Sequence, residues 1–109
     1  MKKILVIVIT FNGMKWLSRS LGSIRGSEIP ADIFVVDNAS TDGSADFVAK
    51  EFPEAILIRN EKNLGFTEAN NIGLHYATDN GYDYAYLLNQ DAWLLPSTLG
   101  ELLHAEDEK

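Results

Sequence analysis

Three apolar runs in this sequence stop abruptly at side chains that carry oxygens and amides. Ile4 to Ile9 ends in Thr10-Phe11-Asn12, Val35-Val36 in Asp37-Asn38-Ala39-Ser40-Thr41-Asp42-Gly43, and Leu87-Leu88 in Asn89-Gln90-Asp91. Such groups can hydrogen-bond a base edge or a ribose, as Asp37 and Asn38 could, and Phe11 could cover the face of a base. A carboxylate at Asp91 could hold a hard cation against diphosphate oxygens, since Mg²⁺ uses one or two protein carboxylates plus phosphates. Each cluster also has a local reading. Asp, Asn, Ser and Gly gather at turns and helix starts for backbone reasons, Asp91 could cap a helix, and Phe11 could be a rim aromatic. The local readings do not explain why three strands should end in polar clusters on one rim.

Ile4 to Ile9 is continuous and rich in β-branched residues, which suits a strand covered on both faces. Met14, Leu17, Leu21 and Ile24 recur at three and four residues and predict a helix with Asn12 as its N-cap. Ile33 to Val36 reads as the second strand. Ser44 to Phe52 reads as a short helix burying Ala45, Val48, Ala49 and Phe52, stopped by Pro53. Ala55 to Ile58 is the third strand and Asn60 to Gly65 a loop. Thr67 to Asp79 is the third helix, with Ala69, Ile72, Gly73, Tyr76 and Ala77 inward and Asn80-Gly81 closing it. Tyr84 to Leu88 is the fourth strand, and Pro96 opens a last helix through Leu99, Leu102 and Leu103.

The order β-α-β-α-β-α-β-α predicts an α/β, Rossmann-like fold: a mostly parallel sheet, helices on both faces, strand order 3-2-1-4. Ligands of such sheets bind outside the carboxyl ends of the strands, at the switch in strand order. The three clusters meet there.

The 109 residues allow one domain, with a net charge of −7 and a pI of about 4.6. That charge argues against nucleic acid, and it demands a divalent cation if the ligand is a diphosphate. There is no cysteine, so disulfides and thiolate chemistry are excluded. The run from Ile4 is too short to span a bilayer and no cleavage site follows it, so it reads as a buried strand and the protein as cytoplasmic. Glu106 to Lys109 reads as a frayed end. His75 and His104 have no ligand spacing and read as helix-surface residues, and Trp16 and Trp93 read as packing residues. A dinucleotide fingerprint, a P-loop and a defensible Ser-His-Asp set are all absent.

Val8-Ile9-Thr10-Phe11-Asn12, Val35 through Ser44, Asn63-Leu64-Gly65-Phe66, Asn71-Ile72-Gly73 and Leu87-Leu88-Asn89-Gln90-Asp91 follow one another in an order that resembles the amino-terminal half of family 2 glycosyltransferases, which have the GT-A fold. The chain looks most like the bacterial rhamnosyltransferase-like branch, of surface-polysaccharide pathways. The resemblance implies an inverting transferase that uses a nucleoside-diphosphate sugar, here a UDP- or dTDP-sugar, with Mg²⁺ or Mn²⁺. It places Thr10, Phe11 and Asn12 at the base-binding strand end, Asp37 and Asn38 at pyrimidine and ribose, Asn71 and Asn89 at the nucleotide, and Asp91 at the metal. Two departures stand out. Asn38 replaces the second acid of the strand-two pair, which leaves base preference open. Asn89 replaces the first acid of the Asp-x-Asp motif, which implies weaker metal binding without the nucleotide.

The resemblance also places the general base and the acceptor pocket in a second half that these residues do not include. Residues 1–109 read as the donor-nucleotide half of a truncated domain, inactive alone, with a glycan or lipid-linked acceptor served by the full-length protein, at the inner face of the membrane. A non-catalytic nucleotide-binding or interaction module is the rival reading. A receiver-type signalling domain would need acids after the first strand, where Thr10-Phe11-Asn12 stand. An exposed edge at the fourth strand predicts self-association.

Overall fold

A computed structural model of the chain describes residues 2–107. Four strands and four helices alternate: β1 (Ile4–Thr10), α1 (Met14–Arg25), β2 (Asp32–Asp37), α2 (Ser44–Glu51), β3 (Ile56–Arg59), α3 (Gly65–Asp79), β4 (Tyr84–Leu87) and α4 (Thr98–Asp107). The strands form one parallel sheet in the order β3-β2-β1-β4. The crossover from β1–β2–β3 back to β4 puts the switch between β1 and β4. Val8 pairs with Val35 and Thr10 with Asp37, so the first two polar clusters begin level with each other.

The continuous apolar run of β1 is explained by helices on both of its faces. Val6 and Val8 join Leu17, Leu21 and Ile24 of α1, Val48 of α2 and Leu99 of α4 in one core. Leu5 and Ile7 face the other way, with Phe34, Val36 and the small residues Ala69 and Ala77 of α3. That second layer is thin because α3 lies directly on the strand. A Cβ on Gly73 would fall 2.7 Å from Ile7 Cγ2. Only a glycine permits that approach without displacing the helix.

The strand order, the parallel pairing and the division of helices agree with the sequence reading. Several local expectations do not. Asn12 is not the N-cap of α1: the cap position is Gly13, without a side-chain cap bond, and Asn12 sits in the left-handed region at φ 49°. Ala49 is exposed rather than buried, because α2 is only eight residues long and Val48 fills its inward face. Helix α3 begins at Gly65, two residues before Thr67, and α4 at Thr98 rather than Pro96. Leu88 lies past the end of β4, yet its N–H still reaches Ile7 O at 2.9 Å. Trp93 is 45% exposed, its ring lying 3.4 Å from the Arg19 guanidinium, and Trp16 is also exposed. His75 and His104 are on helix surfaces. In the expected frayed tail, Glu106 and Asp107 are helical, and Glu108 and Lys109 lie outside the described residues.

Candidate nucleotide and metal site

The turn after β1 is braced from the side by the loop after β2. Asn12 N donates to Ser40 Oγ at 2.8 Å, Gly13 N to Ser44 Oγ at 3.1 Å and Met14 N to Asp42 Oδ2 at 3.1 Å. Asn12 Oδ1 in return accepts from Thr41 N at 2.8 Å. The turn and the first N–H of α1, at Met14, which a helix cannot satisfy internally, are therefore held by a loop about thirty residues away, as the 28–31-residue separations of these bonds show. Burial pulls the Asp42 carboxyl upward. Hydrogen bonds from the Ser44 hydroxyl and from the Met14 and Ser44 N–H groups outweigh that and hold it below its ordinary range.

Asp37 and Asn38, at the end of β2, are both buried. Asp37 Oδ2 accepts from Ser40 N at 3.1 Å, while Oδ1 is buried with no hydrogen-bond partner among the described residues. A buried, unpaired carboxylate oxygen is costly to keep, and Oδ1 is the atom of this strand end that can still accept a hydrogen bond. Asn38 organises the loop that follows β3. Its Oδ1 accepts from Asn60 Nδ2 at 2.9 Å and from Leu64 N at 3.3 Å, and its Nδ2 donates to Gly65 O at 3.2 Å. One N–H of that amide remains uncommitted in these contacts.

The segment after β4 is held differently. Gln90 Oε1 accepts from Thr10 Oγ1 at 2.7 Å and from Phe11 N at 3.0 Å, and Gln90 Nε2 donates to Phe11 O at 3.4 Å. Asn89 and Asp91 on either side are exposed. Beyond them, Leu94 N donates to Ser23 Oγ at 2.9 Å and anchors the chain to α1. Asp91 makes no hydrogen bond or ion pair among the described residues, and no group of three or more His, Cys, Asp or Glu converges there.

Between these strand ends opens a cavity of about 230 Å³, lined by Phe11, Asn38, Asn63, Phe66, Asn89 and Gln90 among others. Of the residues singled out in the sequence, it collects Phe11, Asn38 and Asn89. Thr10 is fully buried, its hydroxyl spent on Gln90. Asn12 turns its carbonyl oxygen to Thr41, Asp37 lies beneath the rim, and Asp91 stands outside the lining. Asn71 is exposed on α3 and does not line the cavity; its neighbour Asn70 is the buried one. Gln90 and Phe66 were given no role from sequence. Phe66 is 58% exposed at the cavity. An apolar ring placed next to the Asn-Leu-Gly turn was the available signal.

Residues 5–108 match the profile of glycosyl transferase family 2. Undecaprenyl-phosphate mannosyltransferase of Micrococcus luteus is 30% identical over 106 residues, covering 94% of this chain and 44% of that protein. N-acetylglucosaminyl-diphospho-decaprenol L-rhamnosyltransferase of Mycobacterium tuberculosis is 28% identical over 109 residues, covering 92% and 36%. The chain thus spans less than half the length of these curated relatives. Among solved structures, S. aureus TarS 1-349 in complex with UDP superposes with a TM-score of 0.84 at 26% identity, over 97% of this chain and 32% of that one. The mannosyltransferase PcManGT from Pyrobaculum calidifontis, in complex with GDP-Man and Mn²⁺, gives 0.82 at 27% identity, over 93% and 31%.

Proposed function

The chain belongs to glycosyl transferase family 2, and from that premise we propose that it is the donor-nucleotide portion of an inverting glycosyltransferase. The donor is a nucleoside-diphosphate sugar, with a uridine or thymidine base. The base lies in the cavity against Phe11 and Phe66, with Asn38, through its uncommitted N–H, and Asp37 at the base edge and ribose. Asn89 faces the nucleotide and Asp91 the diphosphate. The observation that carries this reading is the cavity itself. It opens at the carboxyl ends of β1, β2 and β4, where open α/β sheets bind ligands, and it pairs exposed rings with amides.

The donor chemistry suits a divalent cation. Asp91 offers an exposed, uncommitted carboxylate, and one carboxylate with phosphate oxygens is a common Mg²⁺ arrangement. When bound, such an ion would supply positive charge against the departing diphosphate, offsetting a chain whose net charge is −7. The PcManGT complex with Mn²⁺ supports the same requirement. The chain's own residues bind and orient. Phe11 and Phe66 fix the base, Asp37 and Asn38 its edge, and Asp91 the leaving-group end. In the reaction the acceptor hydroxyl oxygen bonds to the anomeric carbon from the far side as the bond to diphosphate breaks. The hydroxyl proton passes to a base contributed from outside these 109 residues, as is the acceptor pocket.

The names of both curated relatives carry polyprenyl substrates, which supports a lipid-linked acceptor for the whole protein at the inner membrane face. Among the described residues no helix is long and apolar enough to cross a membrane. The outer edge of β4, with Leu87 46% exposed, supports self-association of this chain. Sedimentation that stays monomeric at rising concentration would remove that part of the proposal.

Two-dimensional NMR titration with UDP, dTDP and GDP, with and without Mn²⁺, tests the donor reading. Shifts should gather at Phe11, Asn38, Phe66 and Asn89, with Asp91 responding only when metal is present. A folded sample that shows no shifts at millimolar nucleotide would refute it.

A further inference from the structure

We infer that Gln90 is a positioning residue. It latches the turn that carries Phe11 to the segment that carries Asp91, so that the base end and the diphosphate end of the donor are held by one unit. This rests on the donor-site reading above and deepens it.

The β1–β4 ladder ends early. Its last paired residues are Ile7 and Leu87, and one more bond follows from Leu88 N to Ile7 O. Strand β1 then runs on for three residues to Thr10, alongside β2 only. The side-chain bonds of the turn at Asn12, Gly13 and Met14 all run toward the β2 side, to Ser40, Thr41, Asp42 and Ser44. On the β4 side, among the described residues, the turn's bonds are those of one amide. Gln90 Oε1 takes both the Thr10 hydroxyl and the Phe11 N–H, and Nε2 returns a longer bond to Phe11 O. A glutamine suits this place because one side chain both accepts and donates.

The neighbouring backbone leaves room for that amide. A Cβ on Gly13 would collide with Gln90 Oε1 and Thr10 Oγ1. The latch thus depends on three residues from two strand ends: the middle residue of Asn89-Gln90-Asp91, the buried Thr10 and a glycine. Its two flanks, Asn89 and Asp91, are left facing outward.

Gln90 also lines the cavity, so the test must separate positioning from direct contact. Thr10 is fully buried and cannot touch a ligand, which makes Thr10→Val the partner in a double-mutant cycle. The probe is uridine without metal, which lacks phosphates and therefore reads the base side alone. Gln90→Ala and Thr10→Val should each weaken uridine binding about tenfold. The double variant should lose no more than the worse single one, as for two ends of one contact. Gln90→Glu keeps an acceptor for both donors but loses the Nε2 donation and sets a carboxylate oxygen against Phe11 O, so its uridine affinity should fall between those of the parent and Gln90→Ala.

A second readout needs no nucleotide. The Phe11 amide should exchange hydrogen faster in Gln90→Ala than in the parent chain. Additive losses in the cycle would mean that Gln90 touches the nucleoside itself, and would overturn the positioning role. Unchanged Phe11 exchange would overturn it too. Loss of all uridine and UDP binding by the parent chain, with the exchange effect intact, would sink the donor-site reading and leave the latch standing.

Discussion

Two acids mark the difference between the two sides of this site. Asp42, in the loop after β2, has both carboxylate oxygens engaged: Oδ2 caps Met14 N and Oδ1 accepts from Ser44. Asp91, after β4, is engaged by nothing among the described residues. The turn after β1 is thus braced before any ligand arrives, while the segment after β4 keeps a charge free; in the proposed reading these are the base side and the diphosphate side. Pre-organisation lowers the ordering cost of binding, and it is affordable where the ligand group is a rigid ring. A cation with exchangeable phosphate and water ligands is better met by a carboxylate that can still move.

The largest effect should come from the free acid. Asp91→Asn should lower Mn²⁺-dependent UDP affinity about 100-fold, as loss of a direct ligand exceeds the effects seen for outer-shell partners. Metal-free uridine binding and melting temperature should be unchanged, and calorimetric titration with and without Mn²⁺ checks both. A melting temperature that falls would show Asp91 to be structural and would erase the contrast.

Next comes the support beneath the base side. Gly73→Ala should destabilise the fold by about 2 kcal/mol, the usual cost of overfilling a packed layer, measured by urea unfolding. Phe66→Ala should reduce uridine affinity roughly tenfold, since stacking one base on a ring is worth about 1–3 kcal/mol. It should leave the UDP response to Mn²⁺ intact.

The smallest effect belongs to the committed acid. Asp42→Ala should cost about 1 kcal/mol of stability, like the loss of a helix cap, with little change in nucleotide affinity. Because the folded carboxyl titrates lower than the unfolded one, its contribution is present above the unfolded value of about 3.9. It fades as pH falls through the lower folded value. Acid unfolding curves of parent and variant should therefore converge at low pH.

The sheet was legible because its signals are local and repeated. An unbroken β-branched run such as Ile4 to Ile9 has few other uses, and the three- and four-residue spacing of Leu17, Leu21 and Ile24 fixes one helix face. What escaped was long-range. Asn12 looked like a cap because it precedes a helix, but the caps of α1 come from Ser44 and Asp42 across the sheet end. The run Ser40 to Ser44 reads in sequence as a turn and helix start, which does not reveal that it braces the turn after β1. Thr10, a ligand contact in the sequence reading, is fully buried with its hydroxyl on Gln90. Gln90 looked like a spacer in a motif of acids and amides; its three bonds to a turn 79–80 residues earlier leave no local trace. On α3, two adjacent asparagines differ by one step of helical rotation, and sequence alone did not show that Asn70 points in and Asn71 out.

Gly73 on Ile7 has a further consequence. The seat fixes how far α3 can slide along β1, and Phe66 rides on the same helix, seven residues and about 10 Å toward the cavity. A buried methyl exchanged at Ile7 would act as a shim under that helix, tilting a surface ring it never touches. Drift in the interior can therefore surface at the rim, so that chains with the same cavity-lining residues can present that ring at a different place and angle.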